Sequence, residues 1–136
     1  MAYEEVLQSI TLDADASIGV FTGVAGLRGA PANQSALQYR FVKITGEHIA
    51  GLVTVPASDL VVGVLQNKPQ VVGDAATVGI LGVSRVECFG AIAFGAAVYA
   101  DAVGRATTVV LGPILGYTIH STANAGELAT VLLRLR

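Results

Sequence analysis

From residue 38 to the end of the chain, turn signals recur roughly every eight to twelve residues, and between them apolar residues alternate with period two or fill short runs. That rhythm leaves no room for helices of ordinary length. Residues 39–44, 49–55, 60–65 and 76–83 read as strands, rich in Val, Ile, Leu and aromatic residues. Thr45-Gly46-Glu47-His48, Gln66-Asn67-Lys68-Pro69 and Gly73-Asp74 read as the turns between them. Helical signal is confined to single turns at 3–9 or 35–38. The expected fold is all-β: a small β-sandwich or barrel-like domain with an extended N-terminal arm.

Within this pattern the stretch 90–108, GAIAFGAAVYADAVGRATT, reads as a compact β corner. Two short apolar runs, 91–94 and 96–100, precede a polar turn at 101–104. In the preceding strand Ser84, Val86 and Cys88 share one face and Arg85 takes the other, so Cys88 is expected as a buried, inert thiol. In the last strand Ala129, Val131, Leu133 and Leu135 face the core, leaving Arg134 and Arg136 to solvent or to an acid.

Residues 1–38 differ from the rest. Ser9-Ile10-Thr11-Leu12-Asp13 and Ser17-Ile18-Gly19-Val20 each alternate and are expected as short strands, whereas GLRGAPANQS, 26–35, has the composition of a loop. The segment is either an arm or the first hairpin of a β domain that occupies 39–136. That domain aligns with itself at a constant offset of 53 positions, which pairs Phe41 with Phe94, Gly51 with Gly104, Thr54 with Thr107, Gly63 with Gly116, Gly73 with Gly126, and Ala76-Thr77-Val78 with Ala129-Thr130-Val131. Either the domain holds two related halves or two hairpins meet similar packing demands.

Composition narrows the function. Eight basic and ten acidic residues give a net charge of −2 and are spread along the chain, which argues against a nucleic-acid surface. Only 13% of the residues are charged while 53% are apolar, so a partner is expected to cover apolar surface. The longest uncharged runs are broken by glycines, and the later one also by Pro113, unlike a membrane span. One cysteine permits no intrachain disulfide. His48 and His120 fall in expected turns or loops with no metal-ligand spacing, and are expected at the surface. Triad and phosphate-cradle motifs are missing, and with no Trp there is little for a sugar-stacking platform. No catalytic, cofactor-binding or metal residue is assigned, and the chain is expected not to be an enzyme.

Residues 63–108 and 114–136 resemble the capsid decoration (cement) proteins of tailed bacteriophages. The resemblance rests on Gly63-Val64-Leu65-Gln66-Asn67-Lys68-Pro69, on Gly73-Asp74, on the corner from Gly90 to Asp101 with Gly104-Arg105, and on Gly126-Glu127. It covers roughly the second half of the chain, and its motifs are structural glycines and strand patterns. It implies a small β domain, commonly a homotrimer, that binds the major capsid protein on the outer surface of the virion head and reinforces contacts between capsid subunits. Ile10, Leu12, Ile18, Val20 and Phe21 are then candidate docking residues, adding a strand to a sheet edge of the capsid or of a neighbouring copy. Another virion part, such as a head fibre base or a tail component, suits the same composition. So, less well, does a small oligomeric β enzyme or ligand-binding module.

Overall fold

The computed structural model describes residues 7–18 and 37–134. Nine strands are formed among them: β1 (Leu7–Ala14), β2 (Phe41–Gly46), β3 (Ile49–Leu52), β4 (Val61–Leu65), β5 (Ala75–Glu87), β6 (Ala97–Ala100), β7 (Ala106–Thr107), β8 (Gly116–His120) and β9 (Leu128–Leu133). The fold is all-β, and among the described residues no helix is long and apolar enough to cross a membrane.

The strands run in the order β1-β3-β2-β4-β5-β9-β8-β6-β7, and β1 also pairs with β5. That extra pairing closes β1 to β5 into a five-stranded barrel. Its two seams are the antiparallel match of Leu7–Asp13 on Ala75–Gly82 and the parallel match of Ala14 on Ala50. The first seam is long, whereas β1 meets β3 only at Asp13 and Ala14.

The second half repeats the design. Val64 and Leu65 face Gly79 and Val78 across β4 and β5, while Tyr117 and Thr118 face Leu132 and Val131 across β8 and β9, a shift of 53 positions at every residue (Val64 to Tyr117). The β2–β3 hairpin, with Ile44 on Ala50, has its counterpart in Ala100 on Ala106 of β6–β7, shifted by 56 (Ile44 to Ala100). Cys88 forms a parallel bridge with Ala106, just as Ala14 does with Ala50. Backbone hydrogen bonds follow suit: Ala14 N–H donates to Asp74 and Cys88 N–H to Glu127, both at 2.9 Å. The C-terminal half of β5 thus does for the second ring what β1 does for the first. It pairs with β9 from Gly82 on Leu133 to Glu87 on Leu128. Two rings share one long strand.

Two buried clusters fill these rings. Leu12, Ala14, Ile18, Val42, Leu65 and Val78 belong to the first, and Phe41, Val86, Cys88, Val98, Val131 and Leu133 are among those in the second. Each such aliphatic side chain contributes about 1.5–3 kcal/mol when fully buried. The rings are also tied directly, Phe41 N–H donating to Gly104 O at 2.7 Å and Arg40 pairing with Glu87 at 2.8 Å.

Several local expectations change. The strand expected over 76–83 and the one expected to carry Ser84, Val86 and Cys88 form a single strand from Ala75 to Glu87, with Ser84, Val86 and Cys88 all buried. The strand expected over 49–55 stops at Leu52, because the Asp59 carboxylate takes the N–H groups of Thr54 and Val55 at 2.8 and 2.7 Å and diverts them from a ladder. At Ser17 and Ile18 the chain turns instead of extending, with the Asp15 carboxylate accepting from Ser17 N–H at 2.7 Å. In the corner only Ile92 of the run 91–94 pairs, by one bridge to Thr122. Leu7 to Ser9 are strand, not a helical turn, and His120 ends β8 instead of lying in a loop.

Candidate functional site

The charged side chains that approach one another serve the fold. Lys43 lies 3.1 Å from the Asp59 carboxylate, and Arg105 lies 3.1 Å from Asp101 while stacking at 4.8 Å over the Phe89 ring. Asp101 also accepts from the N–H groups of Val103 and Arg105, fixing the β6–β7 turn. Burial pushes the Asp59 carboxyl up, yet the Val55 and Thr54 amides and the Lys43 ammonium outweigh it and hold the group below its ordinary value. Burial pushes the Cys88 thiol up, and the side chain is fully enclosed, as expected from its register.

His48 is exposed with a left-handed φ of 57°, in the tight turn that Gly104 occupies in the second ring. His120 is exposed at the end of β8. Among the described residues no group of three or more His, Cys, Asp or Glu side chains could hold a metal ion.

The candidate docking residues separate. Leu12 and Ile18 are buried in the first ring, and only Ile10 faces solvent. Val20 and Phe21 lie outside the described residues. Residues 7–18 therefore belong to the body of the protein: β1 is a barrel strand whose partners among the described residues are β5 and β3.

Exposed apolar surface collects elsewhere, where the β3–β4 and β7–β8 connections meet. These loops hold equivalent places in the two rings and touch through backbone, since a Cβ added to Gly112 would collide with the Pro56 carbonyl. Ser58 and Asp59 N–H groups both donate to Val55 O, and the Asp59 carboxylate ties the same turn to Lys43, so the loop is held rigidly. On these two connections Leu60 is 66% and Val110 72% exposed, and Val55, Val109 and Ile114 are exposed as well. One shallow groove runs between Leu60 and Ile114, and a second runs from Leu60 and Val61 to Ile10 and Leu81 on the barrel wall. A third continues from Ile114 to Tyr117 and Arg134. The first shares Leu60 and Val61 with the second and Pro113 and Ile114 with the third, and Asp59, which lines the first, has its charge neutralised by Lys43. Sequence reasoning missed Leu60, Leu81, Val110 and Ile114. The visible signal was Val109-Val110-Leu111 standing directly before Gly112-Pro113, an apolar run in a loop that has no core to enter.

No family model matches the chain, and no curated protein matches it. Among solved structures, the N base of the head fibre gp8.5 of bacteriophage phi29 is similar in fold, with a TM-score of 0.57 at 19% sequence identity over 95% of both chains. At that identity the likeness is one of fold.

Proposed function

We propose that the chain is a structural component of a tailed-bacteriophage virion, without catalytic activity, carried on the outer surface of the head, where a homotrimer binds the major capsid protein and reinforces contacts between its subunits. The observation that supports a virion structural role is the extent of the likeness to the phi29 head-fibre base, which spans 95% of both chains, and the decoration role adds to it the motifs of residues 63–108 and 114–136. The build of the molecule supports it. Two rings around one strand resist deformation, and the charged pairs at Arg40, Lys43 and Arg105 brace turns and ring junctions. Repetition on a capsid lattice would let modest single contacts add up by avidity.

The likeness also favours a second reading, in which the chain is the base of a head fibre. Copy number separates the two. A decoration protein saturates purified heads that lack it at a copy number comparable with that of the capsid subunits, whereas a fibre base saturates at few, defined positions. Absence of any binding to heads at micromolar protein would overturn both.

A further inference from the structure

The repeat that builds the two rings gives each of them the same turn, and one of the two is in use within the chain. In the first ring Tyr39 N–H donates to Leu65 O at 2.7 Å and Leu65 N–H to Arg40 O at 2.9 Å. In the second, Gly95 N–H donates to Thr118 O at 2.8 Å and Thr118 N–H to Ala96 O at 3.0 Å. Gly95 thus stands for Tyr39 and Ala96 for Arg40, with the same shift of 56 as the hairpins (Tyr39 to Gly95). Both Tyr39 and Gly95 have a left-handed φ, of 67° and 78°. The first turn is the seat of the second ring: Tyr39 O accepts from Glu87 N–H at 2.9 Å, Arg40 holds the Glu87 carboxylate and the Val103 carbonyl, and Phe41 N–H donates to Gly104 O. Among the described residues the second turn carries nothing. The Gly95 carbonyl accepts no hydrogen bond from them, and a Cβ built on Gly95 would meet nothing within 4 Å.

What the second turn displays is Phe94, 75% exposed, where the first ring has Gln38 folded back to donate to Gln66 O at 2.7 Å. The turn is locked from beneath. Ala96 N–H closes it on Ala93 O at 3.2 Å, and the buried Thr118 hydroxyl donates to Ala93 O at 2.6 Å while accepting from Ala96 N–H at 3.1 Å. Gly95 takes its third place, where a left-handed φ selects glycine. The phenyl ring is therefore presented on a fixed backbone, and the chain carries no charge between Glu87 and Asp101. An aromatic side chain in an uncharged surround is what the centre of an interface is made of, and a rigid one binds at little ordering cost.

We infer that the turn 93–96 is the contact by which this chain docks on a subunit of the phage head: Phe94 enters an apolar pocket of the subunit, and a backbone N–H of the subunit reaches the Gly95 carbonyl as Glu87 N–H reaches that of Tyr39. This contact presupposes the virion role proposed above and gives it particular residues. The seat of the second ring on the first shows what such a turn receives, which is the backbone of another β element. The matching surface is a β element beside an apolar hollow, and its recognition does not rest on charge.

The test is binding of the full chain to purified heads that lack it, for the unchanged protein, for Phe94→Gln and for Val110→Gln. Phe94→Gln installs the residue type that the first ring has at this place, and Val110, 72% exposed on the β7–β8 connection, is the control. The expected result is equal affinity for the unchanged protein and Val110→Gln, and an affinity lowered roughly tenfold or more for Phe94→Gln at an unchanged melting temperature. A Phe94→Gln protein that binds as tightly as the unchanged one would overturn the inference and leave the virion role standing. So would an equal loss in Val110→Gln, which would deny the turn its particular role, or a lowered melting temperature of Phe94→Gln, which would assign Phe94 to the fold. An unchanged protein that ignores heads would overturn the virion role, and the docking contact with it.

Discussion

Gly112 lies so close to the carbonyl of Pro56 that no side chain fits between the two backbones. The contact joins the β7–β8 connection of one ring to the β3–β4 connection of the other, and it fuses two loops of equivalent origin into a single platform.

The Gly112→Ala variant should therefore lose about 1–3 kcal/mol of stability, as overpacking against backbone does, because the Pro56 carbonyl can yield only by moving its loop. Denaturant titration measures the loss. Unchanged stability would mean that the loops are independent.

Gly63 and Gly116 make a paired prediction. A Cβ on Gly63 would strike the Gly79 carbonyl and the Val78 side chain, and a Cβ on Gly116 would strike the Leu132 carbonyl and the Val131 side chain. These are matching atoms in the two rings. Gly63→Ala and Gly116→Ala should each destabilise by about 1–3 kcal/mol, and by similar amounts. A large loss at one site with none at the other would argue against equivalent packing.

β1 supplies the third prediction. Leu12→Ala should cost about 2–4 kcal/mol because the side chain is enclosed in the first ring, whereas Ile10→Ala, on the solvent side of β1, should cost less than about 1 kcal/mol. Removing residues 1–24 should unfold the first ring instead of releasing a free arm, which a drop in the melting temperature and loss of the β1–β5 amide protection would report.

Much of this was legible in the sequence, for reasons that particular residues make plain. Ser84, Val86 and Cys88, like Ala129, Val131 and Leu133, alternate so regularly that their inward faces follow from period alone. The offset of 53 could be read because Gly63 and Gly116 occupy places where only glycine fits. What could not be read was long-range pairing. Leu12 sits inside the body because β1 reaches β5 more than sixty residues away, as in Leu12 on Ala76, and short alternating segments carry no mark of their distant partner. The 56-residue shift of the β2–β3 hairpin breaks the single offset, so Gly104 answers to His48 and not to Gly51, and the 53-residue pairs Phe41/Phe94, Gly51/Gly104 and Thr54/Thr107 do not hold in the structure. The apolar grooves assemble from β1, β5 and two loops, and no window of sequence contains them.

Acidity offers a further check. The folded-state value of Asp59 lies below its unfolded value, so the group adds stability above about pH 4, and that contribution fades as the pH falls through the lowered folded value. Asp59→Asn should be less stable than the unchanged protein at pH 7, and its stability should fall less steeply between about pH 5 and pH 2. Parallel acid limbs for the two proteins would show that Asp59 is not held as described.

The account turns on where the protein sits, and the most direct measurement is a difference map by electron cryomicroscopy between virions that carry the chain and virions that lack it. The account predicts density on the outer surface of the head, arranged about the symmetry axes of the capsid and sized for an oligomer of two-ring subunits. Density confined to the tail or the interior of the head, or no difference at all, would contradict it.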